Sequence, residues 1–276
     1  QMVFSEDMAD AFCRALNDWL VKEWLDKDDR LRGSIVIPVQ SIEKAVAEIE
    51  RCAQDKRFVQ VLMLVMGDMP LGKRHYWPIY AAAERLGLPI GIHAGSAYHN
   101  PPSSVGWGSY HIEDYVAQAQ AFQTQLTSLI VEGVFARHPK LKMVMLESGF
   151  TWLPPFLWRL HKFWRGVRME TPWVDRPPLE IVRSNIRFSL QPVDAPPEPE
   201  TLNRLFDHMQ SDELLLFSSD YPHWQFDGDE VLPPGLSPDL VRKIIIDNPH
   251  ATYPRLKVAH DTEKRPPVFG QDHAQN

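Results

Sequence analysis

Three stretches of the sequence decide its fold: LPIGIHAG (residues 88–95), LKMVMLESG (residues 141–149) and LLLFSSDYPH (residues 214–223). Each contains a short run rich in Ile, Leu, Val and Met, and each brings a potential metal ligand to the end of that run. Such runs are typical of parallel strands that are buried on both faces, and long amphipathic helical patterns separate them. We therefore predict a parallel α/β fold in which His93, Glu147 and Asp220 lie at strand ends.

The rest of the chain repeats this alternation of strand and helix. Further strands are predicted at residues 33–39, 58–65 and 185–192, and helices at residues 8–25, 42–49, 75–87, 112–137, 154–164 and 200–209. The predicted helix caps are Ser41, Gly87 and Ser237. Six strand–helix units are visible, whereas a closed (β/α)8 barrel needs eight strands. We therefore predict a TIM barrel that lacks its first two βα units in this sequence. Residues 1–256 are predicted to form the barrel domain, and residues 257–276 a polar tail.

The composition excludes several classes of protein. A net charge of −7 argues against a nucleic-acid partner or an anionic membrane surface. No run approaches the roughly 20 apolar residues that span a bilayer, and the first residues do not resemble a signal peptide. Cys13 and Cys52 fall in helical patterns and are expected to be reduced thiols. These features favour a cytoplasmic enzyme with a small-molecule substrate, either monomeric or a homo-oligomer.

His93 and Asp220 each have a structural and a functional interpretation. His93 could be a hydrogen-bonded residue of a turn, and Asp220 could cap a turn. The ligand interpretation is favoured because imidazole suits Zn, Fe and Mn, and because a carboxylate after an apolar run is costly without a nearby cation. Parallel barrels have their active sites at the carboxyl ends of the strands. We therefore predict a divalent metal ion, Zn, Mn or Fe, bound by His93, Glu147 and Asp220.

Glu147 has the most open interpretation of the three. It could be a buried carboxylate paired with an arginine such as Arg159, which is a purely structural role. As a metal ligand it would add a hard, anionic oxygen donor, and as a general base its pKa would be tuned by burial and by the metal. Asp220 is predicted to act as a catalytic base as well as a ligand, and His223 as a catalytic proton donor.

Aromatic and polar residues near these strand ends are predicted to form the substrate pocket. Phe150 and Trp152 follow Glu147, Trp224 follows His223, and the loop after His93 carries three more candidates, which are Tyr98, His99 and Tyr110. Other helical aromatics and histidines are expected to have core or interface roles. These pocket residues favour an aromatic or cyclic substrate.

The sequence resembles the amidohydrolase family 2, which contains aminocarboxymuconate semialdehyde decarboxylase. The matching segments are YWPIYAAAERLGLPIGIHAG (residues 76–95), RHPKLKMVMLESGFTWLP (residues 137–154) and FSSDYPHWQFD (residues 217–227). The resemblance implies a metal-dependent TIM barrel, and it implies that His93 and Asp220 correspond to the metal ligands of the fifth and eighth barrel strands.

Two departures from the family pattern bear on the chemistry. The family's first strand brings an H-x-H pair or a D-x-H variant to the metal, and none of the 11 histidines here forms such a pair. The sixth-strand position that is often His in the family is Glu147. We expect a metal-dependent hydrolase or non-oxidative decarboxylase. There are two alternatives. One is a non-haem iron oxygenase, which the additional carboxylate of Glu147 suggests, and the other is a non-catalytic relative without first-strand ligands.

Overall fold

The computed structural model of the protein describes residues 3–95, 100–224, 226, 228 and 231–258. Its six strands form one parallel sheet in which each strand pairs with the next one along the chain. The strands are β1 (Gly33–Val36), β2 (Phe58–Leu64), β3 (Ile90–His93), β4 (Met143–Leu146), β5 (Ile186–Ser189) and β6 (Leu215–Leu216). This sequential order is the connectivity of a TIM barrel. Among the described residues β1 and β6 do not pair with each other, so the strands form an open sheet, as the strand count predicts.

One helix precedes the first strand, further helices follow the strands, and together they cover one face of the sheet. They are α1 (Glu6–Leu20, continued by a π-helical turn at Val21–Leu25), α2 (Ile42–Cys52), α3 (Trp77–Leu86), α4 (His111–Val131), α5 (Val134–Arg137), α6 (Leu153–Val167), α7 (Pro178–Asn185), α8 (Pro199–Met209), α9 (Pro238–Arg242, continued by a π-helical turn at Lys243–Asp247) and α10 (Asn248–Thr252). Short 3-10 turns lie at Arg74–Tyr76, Arg168–Glu170 and Pro254–Val258. Within the described residues, no helix combines the length and apolar character needed to cross a membrane.

The two faces of the sheet differ in burial. On β2, Val61 and Met63 are 0% and 1% exposed beneath the helices, whereas Leu62 and Leu64 on the other face are half-buried. His93 lies in register with Leu64 on one side and with Leu146 on the other, so it points to this second face. The half-buried face of the sheet therefore leads directly to the predicted site.

Several predicted features of the helices can be compared with the structure. Gly87 ends α3 in the left-handed conformation with φ 65°, and the Ser237 side chain accepts a hydrogen bond from the Leu240 amide, so both caps are confirmed. Ser41 precedes α2 but makes no capping hydrogen bond with its side chain. The helix predicted as continuous over 112–137 is interrupted at Gly133, whose φ is 81°.

The opening helix is confirmed, but its apolar stripe does not face the core. The side chains at the predicted spacing are exposed, whereas the face that packs on the sheet is formed by small and polar residues. The exposed residues are Met8, Phe12, Leu16 and Trp19, and the buried ones are Ala9, Cys13 and Asn17. Cys13 and Cys52 are buried free thiols, as expected, and burial raises their pKa values to about 11 and about 12.

Candidate active site

The carboxyl ends of three strands bring four predicted site residues together. His93 is the last residue of β3, Glu147 follows β4 directly, and Asp220 lies shortly after β6. His93 Nε2 is 3.3 Å from Glu147 Oε1, Glu147 is hydrogen-bonded to Asp220, and Asp220 Oδ2 is 3.1 Å from His223 Nδ1. The four side chains therefore form one continuous chain of polar contacts, here called the His93–His223 chain.

The backbone at the two carboxylates of this chain is strained. Among the described residues, the non-glycine residues with positive φ are Glu147 (59°), Asp220 (60°) and Gln210 (52°). Gln210 lies at the end of α8, where a left-handed residue is common. A non-glycine residue in this conformation costs about 1–3 kcal/mol, and such strain clusters at active sites. The strain aims both carboxylates into the space between the strand ends.

Neighbouring strands hold the turn that presents Glu147. The Glu147 amide donates a hydrogen bond to Ser189 Oγ at the end of β5, at 3.0 Å. The Asp194 carboxylate accepts hydrogen bonds from the amides of Phe150 and Thr151 at 3.2 and 3.3 Å, and one from Thr151 Oγ1 at 2.7 Å. The loop after β5 therefore fixes the turn after β4, although more than forty residues separate the two in sequence.

The pKa values of the chain reflect its close contacts. The hydrogen bond that His93 donates to the Glu147 carboxylate raises the pKa of His93 against the effect of burial. Burial alone would raise the pKa of Glu147, but its contact with His93 lowers that pKa on balance. Burial and the adjacent charge of Glu147 raise the pKa of Asp220. The two carboxylates are thus driven apart in pKa, as expected when they share one proton.

The donor set suits a divalent cation in chemistry and orientation. His93 Nδ1 contacts the carbonyl oxygen of Ala94, which leaves Nε2 directed at Glu147. Metal-binding histidines are oriented in this way by a backbone carbonyl. Two adjacent carboxylates repel each other, and a cation between them would relieve the repulsion. Among the described residues, however, no group of three or more His, Cys, Asp or Glu side chains has the arrangement of a complete metal site.

A pocket of about 500 Å³ opens beside the chain. Glu147, Asp220 and His223 line one side of it, and residues from the loop before α4 and from α4 itself line the other. The latter are Trp107, Gly108, Ser109, Tyr110, His111, Asp114, Tyr115 and Gln118. The rings of His111 and Tyr115 meet edge to face at 4.8 Å, and those of Tyr115 and Trp224 at 6.1 Å. The pocket is therefore acidic at its base and aromatic at its wall.

Some predicted pocket residues lie elsewhere. Phe150 is 0% exposed in the core, where its ring stacks on Phe206. Trp152 packs against Phe156 and Phe188, and its indole nitrogen donates to the Ser148 carbonyl, so it supports the turn and does not line the pocket. Trp224 is 72% exposed and does not line the pocket itself, but its ring contacts two residues that do, Tyr115 and His223. Tyr98 and His99 fall outside the described residues.

The structural alternative for Glu147 was a pair with an arginine such as Arg159, and the structure gives Glu147 other partners. Glu147 contacts His93 and Asp220, whereas the guanidinium of Arg159 lies 5.0 Å from the ring of Phe163. His111 and Tyr115 line the pocket but were not predicted from the sequence. Their position at the start of the helix after the loop that follows β3 was the available signal, because such βα loops build the pockets of parallel barrels.

The fold and the position of the cluster are those of TIM-barrel enzymes, and sequence comparison places the chain among them. The amidohydrolase family model matches residues 1–255, so the chain belongs to the amidohydrolase family. Its γ-resorcylate decarboxylase relative from Rhodococcus jostii is 27% identical over 188 residues, which cover 64% of this chain and 55% of the relative. The chain spans about half the length of the curated relatives that it matches.

Two solved structures are similar to the chain in fold. An amidohydrolase of Mycobacterium avium subsp. paratuberculosis K-10 has a TM-score of 0.72 and 26% identity, covering 90% of this chain and 65% of that one. The 5-carboxyvanillate decarboxylase of Novosphingobium aromaticivorans, complexed with manganese and 4-hydroxy-3-methoxy-5-nitrobenzoic acid, has a TM-score of 0.72 and 21% identity. That similarity covers 90% of this chain and 71% of the decarboxylase.

Proposed function

We propose that the protein is a metal-dependent decarboxylase that releases carbon dioxide from a small aromatic acid without oxidation. The observation that carries the proposal is the His93–His223 chain at the carboxyl end of the sheet, beside a pocket with an aromatic wall. The decarboxylases among its relatives and structural neighbours support the reaction class. Hydrolysis of a C–O, C–N or C–C bond is the second candidate, because the site chemistry and the amidohydrolase family suit it equally.

In this proposal His93 Nε2 and the carboxylates of Glu147 and Asp220 hold a divalent metal ion. The manganese in the Novosphingobium decarboxylase favours Mn²⁺ over Zn²⁺ or Fe²⁺. A bound metal would polarise an oxygen atom of the substrate. The Ala94 carbonyl keeps the His93 ring turned toward this position.

Loss of carbon dioxide leaves the bonding electron pair on a ring carbon, which must then take up a proton. Asp220 and His223 are placed to hold that proton, because Asp220 Oδ2 and His223 Nδ1 are 3.1 Å apart and both residues line the pocket. Glu147 contacts Asp220 from the other side and orients it. The rings of Tyr115 and Trp107 would pack against an aromatic substrate.

Two rival functions remain testable alongside the decarboxylase. Glu147 adds a carboxylate to a His and Asp pair, which favours a non-haem iron oxygenase if the bound metal is iron. A non-catalytic relative would bind neither metal nor substrate productively. The same proposal includes a cytoplasmic location, which the two buried free thiols support, and a homo-oligomeric state.

A direct assay separates these functions. The purified protein is supplied in turn with Mn²⁺, Zn²⁺ and Fe²⁺, and incubated with 2,6-dihydroxybenzoate and 5-carboxyvanillate. Carbon dioxide release and oxygen uptake are then measured. Carbon dioxide release that depends on Mn²⁺ supports the decarboxylase. Oxygen uptake with Fe²⁺ would favour the oxygenase, and the absence of turnover with any of the three metals would favour the non-catalytic relative.

A further inference from the structure

A second cleft lies at the opposite, amino-terminal end of the sheet. It has a volume of about 1020 Å³, and α7, α8 and the starts of β4 and β5 form its walls. Four basic side chains line it, which are Lys142, Arg176, Arg183 and Arg187. None of them belongs to the candidate active site, which lies at the carboxyl ends of the same strands.

Arg187 is the most deeply placed of these cations. Its side chain is 5% exposed, and Nη1 donates to the carbonyl oxygens of Ile186 and Arg183 at 2.7 and 3.0 Å. Within the described part of the chain, Nε is buried without a hydrogen-bond partner. The nearest carboxylate, that of Glu213, lies 3.7 Å from Nη2, and its side chain is 64% exposed. A buried guanidinium normally has a closer and less hydrated counter-charge.

Lys142 and Arg176 repeat this arrangement beside Arg187. Lys142 Nζ donates to the carbonyl oxygen of Ser184, and Arg176 Nη2 to Asn185 Oδ1 at 3.4 Å, so both contact neutral oxygens. Arg176 Nε is also buried without a partner in the described residues. Burial lowers the pKa of Lys142, and the nearby charge of Arg187 lowers it further. The floor of the cleft thus concentrates positive charge that, within the described residues, only exposed carboxylates oppose.

The acidic residues of the cleft lie at its rim. Glu180, Asp207, Asp212 and Glu213 are all exposed, and Asp212 is already paired with Lys243. Exposed carboxylates interact through water and therefore compensate a buried cation only weakly. Arg187 is buried and Lys142 and Arg176 are half-buried, whereas Arg183 and the four carboxylates are exposed to solvent.

We propose that this cleft binds a phosphate group, either as inorganic phosphate or as the phosphate of a small organic molecule. Arginine presents several N–H donors in a plane, which suits phosphate oxygens, and lysine adds a point charge. The volume of the cleft leaves space for an organic substituent on the phosphate. The ligand would stabilise the amino-terminal end of the sheet by binding only the folded chain.

Thermal unfolding tests the proposal with inorganic phosphate and glycerol phosphate as probes, each compared with sodium chloride at equal ionic strength. At ten times the dissociation constant, a probe should raise the melting temperature by about 3 °C. Arg187→Met and Lys142→Met should each abolish most of this rise, and the second variant serves if the first does not fold. Lys140→Met, which removes one exposed charge beside the cleft, should respond as the wild type does.

The two probes and the control variant decide the outcome. A rise with both probes supports a phosphate site, and a larger rise with glycerol phosphate assigns it to an organic ligand. A rise of equal size in all three variants, or none beyond that of sodium chloride, would overturn the proposal. Because the residues tested lie outside the candidate active site, this result is independent of the decarboxylase assay.

Discussion

Glu48 and Glu147 are carboxylates with lowered pKa values, but Glu48 is fully buried, Glu147 is half-buried, and their surroundings differ. Glu48 lies in the middle of α2 with a side chain that is 0% exposed. It accepts hydrogen bonds from Asn17 Nδ2 at 2.8 Å and from Arg51 Nε and Nη2 at 2.8 and 2.7 Å. Asn17 also bonds to the amide and carbonyl of Val36, so the network ties α1 and α2 to β1. Every contact of Glu48 serves the fold.

Glu147 has the opposite properties. Its side chain is 29% exposed, its φ is 59°, and its contacts are a histidine and a second carboxylate. A purely structural carboxylate gains nothing from a strained backbone or from a like-charged neighbour. A structural carboxylate such as Glu48 accepts hydrogen bonds from cationic or neutral donors and lies on relaxed backbone. A functional carboxylate such as Glu147 lies on strained backbone beside a second carboxylate.

The largest expected effect is on turnover. In the proposed reaction, Glu147→Gln should lower the rate at least about 100-fold, the usual scale for a positioned acid–base group. Glu48→Gln should leave the rate per folded molecule unchanged. Rates are measured at a temperature at which circular dichroism shows both variants to be folded. Equal rates for Glu147→Gln and the wild type would remove Glu147 from the functional site.

The second largest expected effect is on stability, and here Glu48 is the carboxylate whose substitution matters. Glu48→Gln should lower the free energy of unfolding by about 2–3 kcal/mol, because it removes the charge that Arg51 and Asn17 contact. Glu50→Gln, on the same helix with a half-exposed carboxylate, should change it by less than about 0.5 kcal/mol. Chemical denaturation measures both values. A loss at Glu50 as large as that at Glu48 would contradict the role given to burial.

The Glu48 network should also make stability depend on pH in acid. Contacts with Arg51 and Asn17 outweigh burial and lower the pKa of Glu48 in the folded state below its ordinary value of 4.5. Its contribution is therefore complete above the pKa of the unfolded chain, and it is lost as the pH falls through the folded pKa. The stability difference between the wild type and Glu48→Gln should be constant from neutral pH to about pH 5 and then shrink. A difference that stays constant to pH 3 would refute this linkage.

Backbone strain predicts that the difference in free energy of unfolding between Gly and Ala variants is about 1 kcal/mol and has opposite signs at positions 147 and 48. At position 147, Gly should be more stable than Ala by about 1 kcal/mol, because only Gly adopts positive φ without cost. At position 48, in the helix interior, Ala should be more stable than Gly by a similar amount. Comparing Gly with Ala at each site cancels the loss of the carboxylate. The same order at both positions would show that Glu147 is not strained.

Much of the fold could be predicted from the sequence because it depends on local patterns. The buried runs located the strands to within a few residues, and the ligands at their ends located the carboxyl edge of the sheet. The position of Phe150 could not be predicted in this way. Its turn is fixed by Asp194, a contact between residues 44 positions apart. That contact sends Phe150 into the core and leaves Glu147 in the pocket.

The apolar stripe of α1 shows a second limit. Periodicity identifies a helix, but it does not identify the surface that covers each face. Here Asn17 faces the sheet because its amide pairs with the backbone of Val36, and the larger apolar residues face outward. His111 was overlooked for a related reason. Its position after the loop that follows β3 indicates the pocket only in general, and the direction of that loop, which decides its role, is not encoded by a local pattern.

The central claim is that the strand ends bearing His93 and Asp220 hold a divalent metal. Calorimetric titration of Mn²⁺ into the wild type, His93→Gln and Glu48→Gln tests it most directly. We expect His93→Gln to bind Mn²⁺ at least about tenfold more weakly than the wild type, because it loses a nitrogen ligand. Glu48→Gln should bind as the wild type does. Equal Mn²⁺ affinity in the wild type and His93→Gln would show that His93 does not bind a metal at these strand ends.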